Sequence, residues 1–497
     1  MLRNRVPASF SRKRIKKLLA PLLVAQLLAW PLALNAQLER FELPDMGDSA
    51  GALITPQQEK ELGEAFFRSL HAQVEVIHDS DVQTYIETLG QRLVARSDTP
   101  AGAFHFFVVN EKTINAFAGP GGYIGVHSGL IITTESESEL ASVLAHEIAH
   151  VTQRHLYRAF EAAGQLSLPT AAATLAAILL GTQSPALGQA ALMAAQAANA
   201  QFQINFTRDN EKEADRVGMQ ILSASGYDPR SMPLFFERLQ QSSRYHGAQI
   251  PEFLRTHPVT ASRIADTRDR AEQYPYRQYP DSQDYLLIKT KLQVLTQDDD
   301  KDLLAALRAR EQRGVAEQRA SARYGIGLIA MKQQRFAEAA KIFSELRGAF
   351  PEQVQYATAL ARTQVEQSQY PEAIALLKDL QTRFPERDGL KLEYVTTLLK
   401  AGQAENARDF LQSLNARLQR TPLFYKLMAQ TYGDLGQRAE SHRYMAEYYY
   451  VTGQTREAII QIRLAQQIKD NNLYLGAILD ERLRFFLSEA LERKRSR

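Results

Sequence analysis

Apolar positions recur with two different periods along this chain, and the switches between them mark out its elements. From Glu59 to Leu70 and from Val82 to Leu93 they fall at three- and four-residue steps, which predicts two amphipathic helices after a polar lead-in. Phe104 to Asn110 is a short, nearly continuous apolar run and reads as a buried strand. Ala116 to Gly122 is rich in turn residues. Tyr123 to His127 then alternates, with Tyr123, Gly125 and His127 on one side and Ile124 and Val126 on the other. The helical period returns at Leu140, Leu144, Ile148 and Val151, in a helix that Ser136 to Glu139 should open as a capping box with acids in the first turn. A second helix runs from Thr207 to Leu222 and ends near Gly226, with Pro229 beyond. Its Ala214 and Gly218 keep one face small, so another helix can approach closely. Met232 to Gln241, Ala261 to Asp266 and Lys289 to Arg313 continue in helical pattern. Residues 272–285, with four tyrosines and two prolines, read as a linker.

From about residue 320 the pattern itself repeats. Ala339, Ala373 and Ala407 stand 34 residues apart, as do Pro351 and Pro385. Gly327, Ala339, Phe343 and Pro351 occupy the small, small, aromatic and proline positions of a tetratricopeptide repeat. Ala361, Ala373, Leu377 and Pro385 repeat them, and Ala407 with Leu411 makes a weaker third. Tyr432 keeps the phase, whereas Ala446, Tyr449 and Ala458 slip out of it. About four repeats are expected, closed by a polar cap such as Asp480 to Arg497. The expected fold is mainly α: an α+β domain with a small sheet over residues 37–300, then an α-solenoid over 305–497.

Composition changes this picture mainly at the N-terminus. A length of 497 residues favours two or three domains, and 45% hydrophobic with 23% charged residues is a globular balance. Residues 1–36 hold seven basic residues and no acid, an apolar run from Leu18 to Leu34 broken by Pro21 and Pro31, then Asn35 and Ala36. This is the layout of a secretory signal, with cleavage expected near Ala36; an uncleaved anchor is the alternative. Removing those seven charges from the formal +3 leaves −4, so no nucleic-acid partner is expected. Cysteine is absent, which excludes disulfides, thiolate metal sites and a cysteine nucleophile. Residues 162–204 are rich in alanine and leucine but divided by Pro169 and a turn from Gly181 to Pro185. Neither piece reaches the roughly 18–20 residues that a bilayer requires, so a helical hairpin beside the site is expected, with a membrane-touching flap as the other reading.

The chemistry is concentrated in His146-Glu147-Ile148-Ala149-His150. On a helix, residues four apart share a face, so His146 and His150 can offer two imidazoles to one zinc ion, and Glu147 can serve as a base for water there. The three lie off the apolar stripe, on a face free to line a cleft. A zinc hydrolase needs a third protein ligand. Glu211 is the choice, because its helix pairs it with Asp215 on a small-residue face. His155 follows too closely and is expected on the helix surface. His257, before Pro258, is a candidate fourth ligand that could latch the site shut, or else a packing histidine. The strand from Tyr123 to His127 is a candidate exposed edge for pairing with an extended substrate, with an ordinary paired strand as the alternative.

The motif, with Glu211-Lys-Glu-Ala-Asp215 about 60 residues further on, and Asn115 to Gly122 before it, resembles the zinc endopeptidase family of the heat-shock membrane protease and the prenyl-protein (CAAX) endopeptidases. The signal segment and repeats resemble its periplasmic branch involved in outer-membrane barrel assembly. The resemblance implies a zincin-like domain in which one Zn2+ is bound by His146, His150 and Glu211, with Glu147 as general base. Asp215 matches the acid closing the second motif, for which a proton-donor role has been proposed. A carboxylate beside a dication should have a low pKa, which favours instead its accepting a ligand histidine's ring N–H. The resemblance also implies misfolded or stalled outer-membrane proteins as substrates. Its implied partners at the repeats are the barrel assembly machinery and the lipopolysaccharide-insertion machinery, with membrane contact peripheral. Two competing readings are an assembly scaffold with a mostly idle, latched protease site, and a membrane-embedded peptidase.

Overall fold

The turn at Gly121 and Gly122, with φ of 66° and 72°, decides how the small sheet is built. It folds the segment before it back as a hairpin. In the computed structural model, which describes residues 54–97, 104–158, 208–245, 251–297, 299–468 and 473–495, three strands are ordered β1-β3-β2. β1 (His105–Val109) runs parallel to β3 (Tyr123–His127), and β2 (Ala116–Ala118) runs antiparallel to it. The Tyr123–His127 strand is therefore central, the ordinary paired strand of the two readings and not the exposed edge. β2, hidden within turn chemistry in the sequence, takes one side and β1 the other. The hydrogen bonds from His127 N to Asn115 O and from Gly119 N to Tyr123 O fix the register. They leave the backbone groups of Ala116 and Ala118 on the outer edge.

Helices cover this sheet. α1 (Pro56–His71) opens on a reciprocal capping box between Thr55 and Gln58, and α2 (Ser80–Val94) on the Asp79 side chain. After α3 (Ser128–Thr133) comes the motif helix, α4 (Glu137–Thr152). Ser136 caps it by accepting from Glu139 N, but the Glu139 carboxylate reaches past the box to Glu135 N at 2.6 Å and also pairs with Arg238. Every residue from Glu137 to His150 is buried, so the face expected to line an open cleft is covered as well. α5 (Arg208–Ala224) lies against it. A Cβ on Gly218 would stand 3.1 Å from the Ala145 carbonyl and His146 Cα, so the small face serves the close helix contact. α6 (Ser231–Tyr245), α7 (Glu252–Thr256), α8 (Ala261–Glu272) and α9 (Gln283–Thr296) complete the core around Phe106, Leu144, Phe235 and Phe253.

The segment read as a linker is tied down. Asp281 accepts from Glu137 N at 2.7 Å, the Ser282 hydroxyl donates to the Glu137 carboxylate at 2.8 Å, and Tyr285 is buried against Thr134. α9 then serves both parts of the chain, with Ile288 and Leu292 in the core around the motif and Leu287 in that of the repeats. α10 (Asp300–Arg313) leads into four helix pairs. These are α11 (Ala316–Lys332) with α12 (Phe336–Ala349), α13 (Val354–Glu366) with α14 (Tyr370–Arg383), α15 (Asp388–Lys400) with α16 (Ala404–Ser413), and α17 (Pro422–Asp434) with α18 (Arg438–Val451). The turns inside the pairs carry left-handed residues at Gln334, Ser368, Gly402 and Gly436, again 34 apart. The fourth pair thus keeps the phase more clearly than its side chains suggest. The phase breaks at Gly453, after which α19 (Thr455–Gln467) and α20 (Leu473–Arg495) close the array. The closing helix starts before the polar cap expected at Asp480. Residues 1–36 and 162–204, read as signal and hairpin, lie outside the described residues. Among the described residues no helix is long and apolar enough to cross a membrane.

Candidate metal centre

Two adjacent turns of α4 place His146 and His150 with their Nε2 atoms 3.0 Å apart. α5 brings Glu211 to both, its two carboxylate oxygens each 3.5 Å from one of these nitrogens. From the end of α7, His257 adds Nδ1, 3.4 Å from His146 Nε2 and 3.1 Å from Glu211 Oε1. One ligand atom from each of the four residues lies within 4.8 Å of all the others. Their exposure is 1–3%, so water does little to satisfy them. Three ring nitrogens and a carboxylate converge here, and a proton can join only one facing nitrogen pair. A cation satisfies all four at once, and the all-nitrogen-and-oxygen donor set suits zinc or a similar divalent ion.

Asp215, one turn beyond Glu211, sits with Oδ1 3.1 Å from His146 Nδ1. Glu147 is 1% exposed, accepts a backbone hydrogen bond from Ala118 on β2, and has Oε1 3.5 Å from His257 Nε2. The structure thus brings together every residue singled out in the sequence: His146, Glu147, His150, Glu211, Asp215 and His257. α7 is docked through Phe253, which is fully buried and whose N–H donates to Ile114 O at 3.1 Å.

Sequence reasoning missed a buried arginine. Arg263 holds Asp215 through two hydrogen bonds of 2.8 Å, and its Nη1 stands 2.7 Å from Glu211 Oε2. One signal was available, since Arg263 shares the buried face of α8 with Ile264, Thr267 and Ala271. His155 corrects an expectation. It is fully buried, not on the helix surface, because Arg154 takes a left-handed φ of 54° and turns the chain back beneath His150. Its Nδ1 lies 2.9 Å from His150 Nδ1, and its Nε2 lies 3.1 Å from Glu213 Oε2.

Comparison with known proteins gives this geometry its context. The profile of Peptidase family M48 matches residues 80–271, and a tetratricopeptide repeat profile matches residues 364–431. The beta-barrel assembly-enhancing protease of Escherichia coli K12 is 36% identical over 462 residues, covering 93% of this chain and 94% of its own. That of Yersinia pestis is 35% identical over 447 residues, covering 89% and 92%. The chain belongs to this family of M48 metallopeptidases. A mitochondrial metalloendopeptidase of Arabidopsis thaliana, OMA1, is 30% identical over 194 residues, covering 37% of this chain and 35% of its own. It matches only a fraction of either chain, whereas the bacterial relatives match nearly all of both.

For a metallopeptidase the electrostatics of the cluster are consistent. Burial raises Glu147 above the usual carboxylate range, which the nearby His257 and His146 only partly offset, so its proton affinity suits a base. Burial would also raise Glu211 and Asp215. His257 and His146 outweigh this at Glu211, and Arg263 and His146 at Asp215, so both carboxyls stay well on the ionised side. Burial disfavours charge on His146, but Asp215 and Glu211 push its pKa up to about 9. His150 is lowered by burial and then by His146. Enzymes of this family depend on a metal, and His146, His150, Glu211 and His257 are the cluster among the described residues able to hold one.

Proposed function

We propose that this chain is a periplasmic zinc endopeptidase that promotes outer-membrane beta-barrel assembly and degrades barrel precursors that stall or misfold. One observation carries the site: the donors of His146, His150, Glu211 and His257 converge within 4.8 Å beside Glu147. In this reading His146, His150 and Glu211 hold the zinc. The bound ion would supply Lewis-acid polarisation of the scissile carbonyl and lower the pKa of water. Glu147 takes the proton of the attacking water and returns it to the leaving amine. Asp215 orients His146 through its Nδ1 and does not donate a proton, since Arg263 holds both of its oxygens in the ionised form. An extended substrate pairs with the outer edge of β2, where Ala118 already meets Glu147.

His257 completes the donor set, which is the state of an enzyme held closed, and we assign it the role of a latch that a client must release. The low exposure of the site supports this. It also favours the second reading, a scaffold or chaperone whose protease site is idle most of the time. The repeats would supply the docking surface for the barrel assembly machinery and the lipopolysaccharide-insertion machinery. Export and location in the periplasm rest on the basic and apolar residues 1–36 and on the bacterial relatives.

Zinc content and cleavage of casein and of a misfolded barrel protein test the proposal on wild type, Glu147→Gln and His257→Ala. Wild type should carry one zinc ion, and Glu147→Gln should keep it while losing about 10²–10⁴-fold in cleavage rate. His257→Ala should cleave faster than wild type. Undiminished cleavage by Glu147→Gln would rule out the endopeptidase assignment. His257→Ala matching wild type on every substrate would remove the latch. Full support of barrel assembly by Glu147→Gln would favour the scaffold for that role.

A further inference from the structure

The two motif histidines are held from behind in different ways. His146 meets a carboxylate directly, with Asp215 Oδ1 3.1 Å from its Nδ1. His150 meets another imidazole. We infer that His155 and Glu213 are positioning residues that fix the tautomer and orientation in which His150 presents its Nε2 lone pair to the metal.

The proton positions follow from one end of the chain of contacts. Glu213 is 29% exposed and lies 3.2 Å from the Arg158 guanidinium, so it is an ionised acceptor. His155 Nε2, 3.1 Å away, must therefore carry a hydrogen and donate it. His155 is fully buried, and with the hydrogen of its neutral ring on Nε2 facing Glu213, its Nδ1 is an acceptor. His150 Nδ1, 2.9 Å from that atom, must then donate. That leaves Nε2 of His150 unprotonated and aimed at His146 Nε2 and Glu211. The opposite tautomer would set two N–H groups or two lone pairs against each other at 2.9 Å. Backbone geometry places the relay: α4 stops at Thr152, Arg154 adopts φ 54°, and a new helical turn begins at His155. The left-handed conformation is strained for a non-glycine residue, and here it returns a side chain to the metal centre.

The inference rests on the assignment of His150 as a metal ligand, and the experiment separates the two. Zn2+ affinity of the metal-stripped, full protein is measured by chelator competition, and the tautomer of His150 by 15N shifts of its ring. His155→Phe, which keeps the volume and removes the acceptor, should weaken zinc binding about 10–100-fold and allow His150 to populate the other tautomer. His155→Asn, whose amide oxygen can accept where Nδ1 did, should stay within about threefold of wild type. Glu213→Leu should weaken binding about tenfold, with the melting temperature of the stripped protein unchanged. Should His155→Phe fail to fold, the partly exposed Glu213 decides the matter. If neither His155→Phe nor Glu213→Leu changes affinity or tautomer while His150→Ala loses zinc, the relay is wrong and His155 only packs. If His150→Ala binds zinc as wild type does, the ligand assignment falls and takes the relay with it.

Discussion

Two clusters of charge stand in this molecule, a buried one at the metal centre and a partly buried one where the repeats meet the catalytic part, and they are built on opposite principles. In the second, Lys291 reaches Asp79 and Asp81, both at 2.6 Å. Arg362 of the repeats lies 3.1 Å from Asp79, donates to Glu393 at 2.9 and 3.0 Å, and donates to the Ser80 hydroxyl at 3.0 Å. Every cation there faces an anion, and Gly389 is packed so tightly that a Cβ would stand 2.7 Å from Ser80 Cβ. In the first, ring nitrogens face ring nitrogens, and Arg263 stands behind the carboxylates, not among the converging donors. A cluster complete in its own charges fixes one part of a fold against another. A cluster whose acceptors converge on each other leaves its electrostatics to be completed by a ligand.

Replacing the central arginine of each cluster should bring out this difference. Arg263→Met leaves Glu211 and Asp215 buried without the guanidinium they share, and should destabilise the metal-free protein by about 3–5 kcal/mol. Zinc should restore a large part of that loss, because a dication beside Glu211 supplies the missing positive charge. Arg362→Met should cost less, about 1–3 kcal/mol, because Lys291 remains and Arg362 is 22% exposed. Zinc should not restore it. Melting curves with and without zinc distinguish the two, and equal rescue of both variants would dissolve the contrast.

Acid should reach the two regions of the fold in different windows. His127 is buried at the end of β3 with its Nδ1 2.8 Å from Thr113 Oγ1, and burial lowers its pKa to about 4. From pH 6.5 down to about 4 the unfolded chain takes up a proton that the folded one refuses, so stability falls through that window. Asp79 is opposite in charge type. Burial would raise it, but Lys291 and Arg362 hold it well below the usual carboxylate range. Its contribution is full above its unfolded pKa of about 3.9 and is lost only as pH falls further. His127→Phe should flatten the first decline and Asp79→Asn the second, read as melting temperature against pH.

The smallest expected effect compares two glycines. Gly218→Ala puts a Cβ 3.1 Å from the backbone of Ala145 and His146, so α4 and α5 must part by a few tenths of an ångström. It should cost about 1–3 kcal/mol and weaken zinc binding, since the two helices carry different ligands. At Gly402 a Cβ would meet nothing within 4 Å, but φ is +73°. Gly402→Ala should cost about 1–2 kcal/mol in strain alone and leave zinc affinity unchanged.

The same division runs through what could be read in advance. Helix periodicity alone puts His146 with His150 and Glu211 with Asp215 on common faces, because a helix fixes the spacing of its own side chains. The 34-residue phase of Ala339, Ala373 and Ala407 likewise marks the helix pairs, since each repeat packs on its neighbours in the chain. Sequence could also name His257 as a candidate, but not place it 3.1 Å from Glu211. Tertiary structure alone decided that Tyr123–His127 is the central strand, that His155 turns back beneath His150, and that Arg263 backs both carboxylates. Those facts depend on which distant segment occupies each neighbouring position, and on a left-handed Arg154 that residue preference argues against. Local periodicity fixes what a segment can offer; only the packing of segments remote in sequence decides what it meets.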